Sequence, residues 1–163
     1  MTPPTVSLWN FALALYAAPG VENVCLRLQD DFQANTNMVL WSCWLDAQNI
    51  RLTPERLEQA HECIASWDRA VVAPLRQLRR DLKQHASEDH QVGSCRQAIK
   101  SAELAAEKVE LDWLEAMAGD WPAETTPLAL GENVLHYLNT LRVPKNLVEE
   151  ILAYLLEEMR SKY

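Results

Sequence analysis

The sequence predicts an all-α fold, a helical bundle of about seven helices in a single domain over residues 1–163. Apolar residues recur at helical spacing along most of the chain. No run shows the alternation of β-branched and polar residues that is typical of a half-buried strand. The chain has 163 residues, of which 48% are apolar and 23% are charged. This length is enough for one hydrophobic core and short for two domains. We therefore expect one folded helical domain.

The charge of the chain argues against two classes of partner. It carries 15 Lys and Arg against 23 Asp and Glu, a net charge of −8. A surface of this sign repels nucleic acid and anionic lipid, so we expect neither nucleic-acid binding nor membrane association. No apolar run reaches the roughly 18 residues that cross a bilayer.

The cysteines and the amino-terminal residues predict a cytoplasmic location. The four cysteines form no C-x-x-C pair, and a domain of this size needs no disulfides, so we expect reduced thiols and no metal site. Residues 1–21 are largely apolar but lack the basic residues with which a signal peptide begins. We interpret them as leading into a buried first helix.

Three short helices are predicted in the first fifty residues, over 8–16, 21–31 and 36–48. Ser7 and Asn35 are residue types that cap helix amino termini, and Pro19-Gly20 ends the first helix. The helix over 36–48 is apolar around its whole circumference, which is typical of a helix buried on all sides.

A long helix near 54–84 begins at Thr53-Pro54-Glu55, a hydroxyl cap followed by proline and an acid. Pro74 lies inside its apolar stripe, so we expect a kink near Ala70 to Ala73, or two helices that meet there. The stripe consists of Leu57, Ala60, Ile64, Trp67, Val71, Leu75, Leu78 and Leu82.

The second half of the chain is predicted as a polar connection over 85–94 and helices over 95–118, 132–141 and 145–161. On the first of these helices, small and apolar residues share one face, which we expect to be buried. That face consists of Ala98, Ala102, Ala105, Val109, Trp113 and Ala116.

Several motifs within residues 8–52 resemble an uncharacterised bacterial family of conserved hypothetical proteins. They are Leu8-Trp9-x-Phe11-Ala12-x-x-Leu15-Tyr16, Pro19-Gly20-Val21-Glu22, Cys25-Leu26-x-Leu28-Gln29-Asp30 and Asn37-x-x-Leu40-x-x-x-Trp44-Leu45. The resemblance implies a cytoplasmic all-helical domain of unknown function with no established catalytic residues. Gln33 and Asn35 stand where the family pattern leads us to expect glycine and aspartate.

A candidate ligand site lies where the second predicted helix meets the third. Asp30, Asp31, Asn35 and Asn37 fall within eight residues, beside Trp41. Carboxylates and amides in this arrangement could hold Mg²⁺ or a polar ligand. The competing interpretation is structural, with Asn35 as a cap, Asn37 bonded to buried backbone and solvated aspartates.

A candidate partner surface lies on the long helix. Arg69, Arg76, Arg80 and Lys83 form a basic stripe that could receive an acidic protein or a run of RNA phosphates. The competing interpretation is that acidic neighbours neutralise the stripe internally. Those neighbours are Asp68, Asp81, Glu103, Glu107 and Glu110.

The six tryptophans divide into two groups. We expect five in the core, Trp9, Trp41, Trp44, Trp67 and Trp113. Trp121 lies in a predicted loop, where an exposed indole could anchor a partner.

The sequence favours a non-catalytic cytoplasmic domain for protein interaction or regulation, with no cofactor and with another protein as its partner. Nucleophile elbows, P-loops and dinucleotide fingerprints do not occur in it. A second copy of the chain could dock on the last helix, which carries two apolar rows, and packing inside the bundle is the competing interpretation. The first row is Leu147, Ile151 and Leu155, and the second is Val148, Leu152 and Leu156. The alternative is a small-molecule binder or enzyme with its pocket at Asp30, Asp31, Asn35 and Asn37.

Overall fold

The chain is all-helical in a computed structural model that describes residues 6–162, excluding the side chain of residue 162. The rest of the predicted domain, residues 1–5 and 163, lies outside the described residues. Nine α-helices and one π-helical segment, Asp68–Val72, form the described part of the chain. The α-helices are α1 Leu8–Tyr16, α2 Val21–Phe32, α3 Thr36–Ala47, α4 Pro54–Trp67, α5 Ala73–Asp81, α6 Lys83–Glu88, α7 His90–Ala118, α8 Glu132–Thr140 and α9 Lys145–Lys162.

The predicted caps are confirmed at three helix amino termini. The side-chain oxygens of Ser7, Asn35 and Thr53 accept hydrogen bonds from backbone N–H groups three residues later, at 3.2–3.3 Å. Each bond satisfies a donor that has no partner within its helix. Local sequence therefore determines where α1, α3 and α4 begin.

Helix α3 lies at the centre of the fold, as its apolar circumference predicts. It packs against α1, α2, α7, α8 and α9, and ten of its twelve residues are buried. Helices this apolar are stable in water only when other elements surround them. Nothing among the described helices is long and apolar enough to span a membrane.

The predicted kink near Pro74 is confirmed, and it takes the form of a π-helical segment. Pro74 has no N–H to donate to the carbonyl of Ala70, so the regular bonding pattern cannot continue through this turn. The Ala73 N–H bonds instead to the carbonyl of Asp68, five residues back. Helices α4 and α5 continue on either side. If α4 and α5 are counted as one kinked helix, the described residues contain eight α-helices. The helix that the prediction of about seven did not include is α6.

The predicted polar connection over 85–94 is wrong. Helix α6 extends to Glu88, and α7 begins at His90. Only Asp89 separates them, and its carboxylate accepts hydrogen bonds from the N–H groups of Gln91 and Val92, at 2.8 and 3.4 Å. The acid therefore caps α7 and turns the chain without a loop.

The predicted buried face of α7 is also wrong. The residues expected inside are exposed or, at Val109, half-buried, and Trp113 is 41% exposed. The buried face contains two acids and four apolar residues, Glu103, Ala106, Glu110, Leu111, Leu114 and Ala118. The acids can be inside because cations and amides on neighbouring elements meet them, as described below.

Candidate functional site

The five residues of the predicted ligand site do not line one opening. Asp30 and Asp31, at the end of α2, are exposed. Asn35 caps α3, Asn37 is buried, and Trp41 has no exposed surface. The carboxylates thus face solvent, whereas the amides and the indole face the interior.

Glu110 on α7 is the group that the two amides meet. The Asn37 amide donates to Glu110 Oε2 at 2.8 Å, and the Asn35 amide donates to the same oxygen at 3.4 Å. The side chain of Glu110 is completely buried. The backbone N–H of Asn35 donates to the Tyr137 hydroxyl at 3.0 Å. The buried carboxyl of Glu110 therefore links α7 to the amino terminus of α3, and Tyr137 on α8 bonds to the same end of α3.

Asp68 adds a second carboxyl to this group. It is the first residue of the π-helical segment, and its negative charge acts on Glu110. Burial, together with the neighbouring Asp68, raises the pKa of Glu110 to about 7, although the amides of Asn37 and Asn35 lower it. Near neutral pH, Glu110 is therefore partly protonated and can donate to Asp68. We call Asn35, Asn37, Asp68, Glu110 and Tyr137 the Glu110 cluster.

A second buried carboxyl belongs to Asp46 on α3. Its Oδ1 accepts from the backbone N–H of Asn133 at 3.0 Å, near the amino terminus of α8. The Asn133 side chain accepts from Leu52 N at 2.8 Å and donates to the Ile50 carbonyl at 2.7 Å. Burial raises the pKa of Asp46 to about 7 despite the backbone donors of α8. These bonds hold α8 against the α3–α4 connection.

Two cations of the predicted basic stripe make ion pairs within the molecule. Arg76 lies 3.6 Å from Glu103 and 3.3 Å from Glu107 on α7. Arg80 pairs with Asp30 on α2 at 3.1 Å. Arg76 thus pairs with two of the acids named in the competing interpretation, whereas Arg80 pairs with Asp30, an acid that this interpretation did not include. Arg69 and Lys83 are exposed, with no ion pair within the described residues.

Glu103 is also bound by Arg79, which was not among the residues of the predicted basic stripe. Arg79 on α5 bonds to both oxygens of Glu103, and Glu103 is 5% exposed. The guanidinium of Arg96 on α7 also donates to the Arg79 carbonyl, at 2.9 Å. Bidentate arginine–carboxylate pairs are strong and directional. They therefore help to fix α5 against α7.

Residues 73–105, which comprise α5, α6 and the first half of α7, form what we call the helical arm. Helices α5 and α6 pack on α7 and have no buried residues. Within the arm, all of which the structure describes, Glu103 alone is buried. The apolar stripe of the long helix is thus buried at Leu57 and Ile64 but exposed at Leu78.

The arm leaves apolar side chains uncovered. Leu78 and Leu104 are 45% and 46% exposed. Four further apolar residues are only half-buried, Leu75, Leu82, Val92 and Ile99. A layered helical fold normally buries such residues against one more element. Within the described chain, no third helix covers them.

Of the five tryptophans expected in the core, Trp41 and Trp44 are buried, Trp9 and Trp67 are half-buried, and Trp113 is exposed. Trp121 was expected to be exposed and is half-buried. Its ring lies 5.9 Å from that of Trp41 and beneath the Arg56 guanidinium at 4.6 Å. Trp113, expected in the core, packs edge-on against Trp67 at 5.7 Å and remains partly exposed. Trp121 therefore closes the core beside Trp41.

A family model places the chain among known sequences. The model described as Protein of unknown function (DUF2390) matches residues 7–114, more than half of the chain. The chain belongs to this family. The resemblance seen over residues 8–52 is thereby confirmed and extended along the chain. Comparison with curated proteins and with solved structures gave no match.

The DUF2390 match includes the helical arm and most of the Glu110 cluster. Asn35, Asn37, Asp68 and Glu110 lie within residues 7–114. Tyr137 and Trp121, together with α8 and α9, lie beyond the match. The arm is therefore a part of the family domain rather than an addition to it.

Sequence reasoning missed Asp68 and Glu110 as a pair, and it missed Arg79. Glu110 lies 73 residues from Asn37 and 42 from Asp68, so no local pattern joins them. One signal was available in the sequence. Glu103, Glu107 and Glu110 share one side of a helix that is otherwise rich in alanine, and acids at this spacing need partners if that side packs.

Proposed function

We propose that this DUF2390 protein is a non-catalytic interaction or regulatory domain whose helical arm receives a helix from a partner protein. One observation carries the proposal. The arm is a pair of packed helical layers with uncovered apolar residues, Leu78 and Leu104 above all. Because helices pair to bury such residues, an incoming helix is the element that fits.

The spacing of small residues supports a helical partner. Ala98, Ala102 and Ala105 are exposed on α7 at intervals of four and three residues. This spacing matches the seam along which two helices pack, and small side chains allow their backbones to approach closely. Trp113 lies further along the same face and is exposed, and tryptophan is enriched at the energetic centre of interfaces.

The charge of the arm supports an acidic partner. The arm contains six Lys and Arg against four Asp and Glu, whereas the whole chain has a net charge of −8. Lys83 and Lys100 are exposed and make no ion pair within the described residues. An acidic amphipathic helix would satisfy both cations and the apolar residues between them.

Capture of partners from native lysate, followed by hydrogen exchange of the purified complex, tests the proposal. We expect Leu78→Glu and Leu104→Glu to weaken capture by about tenfold or more. The matched control is Leu13→Glu on α1, where the leucine is 44% exposed and lies outside the arm. Lys83→Glu tests the charge, since Arg76→Glu and Arg80→Glu would also break internal ion pairs.

In the complex, we expect slowed hydrogen exchange over residues 73–105 and an acidic helical segment in the captured protein. The proposal fails if the arm variants and Leu13→Glu capture the partner equally well, or if protection lies outside the arm. It also fails if the unaltered chain captures no protein.

We also propose a cytoplasmic location. The cysteines Cys25, Cys43, Cys63 and Cys95 are free thiols, and Cys95 is exposed. Thiols in this state are typical of a reducing compartment. Fractionation of cells that express the chain tests this, and recovery outside the cytoplasmic fraction would contradict it.

A further inference from the structure

Helix α9 has an outer face that the core covers only in part, since Leu152 and Leu156 pack against the edge of the core. One apolar row of α9 is buried in the bundle, namely Val148, Ile151, Leu155 and Met159. The predicted second row is only half-buried at Leu152 and Leu156. A shallow surface groove runs along this side, lined by Glu149, Leu152, Ala153, Leu156, Glu157, Arg160 and Ser161. We call these seven residues the outer face of α9.

Contacts of three residues hold α9 in place, and one of the three, Leu156, also belongs to the outer face. Tyr154 and Leu156 lie close against Gly20 and Gly131, the left-handed glycines that precede α2 and α8. Glu150 pairs with Arg27 on α2 at 2.9 Å. The outer face is therefore presented on a fixed helix, which lowers the entropy cost of binding.

The outer face carries Glu149 at one end and Arg160 at the other, with Glu157 beside Arg160. Glu149 and Arg160 lie eleven residues apart, which is about 16 Å along an α-helix. Ala153 and Leu156 lie between them. The four residues follow one another at intervals of four, three and four positions, so they form a stripe along one side of α9. Both Glu149 and Arg160 are exposed, and neither makes an ion pair within the described residues.

We propose that a second copy of this chain docks on the outer face, with the two α9 helices antiparallel. Antiparallel pairing about the middle of the stripe brings Glu149 beside Arg160 of the partner subunit, and it does so at both ends. Ala153 then lies opposite Leu156 of the partner subunit, a small residue against a large one. Two-fold dimers require a patch that complements itself in this way.

Such a dimer depends on concentration. One helix face per copy buries less than the roughly 800 Å² per partner of a standard stable interface. We therefore expect monomer and dimer to exchange at micromolar concentrations. The two ion pairs at the rim contribute mainly to register and specificity, and salt screens them.

Sedimentation equilibrium of the full chain, with charge exchange between the two positions, tests the proposal. Glu149→Arg alone, or Arg160→Glu alone, places like charges together at both ends of the interface. We expect each single variant to weaken dimerisation by about tenfold or more. The double variant Glu149→Arg with Arg160→Glu restores opposite charges, and we expect its dimer constant to return to within about threefold of the original.

The fold is not at risk in these variants, because both side chains are exposed, and circular dichroism verifies it. Three results would overturn the proposal: a chain that stays monomeric at all concentrations, single variants that dimerise as the original does, or a double variant no better than the singles. A monomer whose arm still captures a partner would refute the dimer and leave the proposed function standing.

Discussion

Glu110 is the residue whose environment differs most from that of an ordinary surface acid. It has no exposed surface, it accepts from two amides, and it faces the carboxyl of Asp68. Burying a lone carboxylate costs several kcal/mol, whereas a protonated, neutral carboxyl avoids most of that cost. The Glu110 cluster therefore joins α3, α7 and the π-helical segment, and its stability depends on protonation.

The unfolding free energy of the protein is predicted to fall as pH rises from about 4.5 to 7. The pKa of Glu110 is about 7 in the folded chain against an ordinary 4.5. The folded state thus binds more protons than the unfolded state in this range, and stability declines with pH. Asp46 acts in the same direction. Denaturant titrations at pH 5, 6, 7 and 8 measure the decline.

Replacing Glu110 with glutamine isolates its share of this effect. Glu110→Gln keeps the acceptor for Asn37 but cannot ionise, so the decline between pH 5 and 8 should shrink by on the order of 2 kcal/mol. Glu88→Gln, at an exposed acid of α6, should leave the profile unchanged. If the Glu110→Gln curve ran parallel to that of the original chain, the assigned role of Glu110 would be wrong.

The sequence could predict the roles of residues whose partners are close to them in the chain. Asn35 caps α3 as predicted because its partner is three residues away. Glu103 and Glu107 were predicted to neutralise the basic stripe, and they pair with Arg76. Glu110 was placed in the same group and instead bonds amides 73 and 75 residues distant. Only the fold brings those residues together.

The sequence predicted where several helices begin, but it did not predict the buried face of α7. Caps and proline act within a single turn, so the starts of α1, α3 and α4 and the kink at Pro74 follow from the sequence. The face of α7 was inferred from apolar residues alone. Arg79 bonds to both oxygens of Glu103, and Asn37 bonds to one oxygen of Glu110. These partners lie on other helices. Apolar pattern therefore misleads where polar groups are paired inside.

The packing of α9 is predicted to be sensitive to a side chain at Gly131, which lies against it. Gly131 has φ +89°, and a Cβ there would lie 2.9 Å from Leu156 Cδ2. We expect Gly131→Ala to cost about 1–3 kcal/mol of unfolding free energy, from backbone strain and displacement of Leu156. Chemical denaturation measures the cost.

Gly93, inside α7, is the matched control for this substitution. A Cβ there would have the Ala86 carbonyl as its near neighbour, at an ordinary 3.5 Å. Gly93→Ala should therefore stabilise the protein by about 0.5–1 kcal/mol through higher helix propensity. Equal losses for both variants would contradict the close seating of α9 on Gly131.

For the molecule as a whole, the decisive feature is the contrast between core and arm. The core surrounds α3 with five helices, whereas the arm is held mainly by ion pairs and half-buried leucines. Composition and helical periodicity predicted the all-α fold, because a bundle needs little more than that pattern. They could not predict an arm, since its apolar residues look like core residues in the sequence.

Native-state hydrogen exchange of the isolated chain tests this contrast most directly. Amides of α3 should exchange only through global unfolding, because ten of its twelve residues are buried. Amides over residues 75–104 should exchange through local opening, at a free energy at least about 2 kcal/mol lower. If the arm and α3 instead exchanged with the same free energy, the arm would be part of the core and would not be free to receive a partner helix.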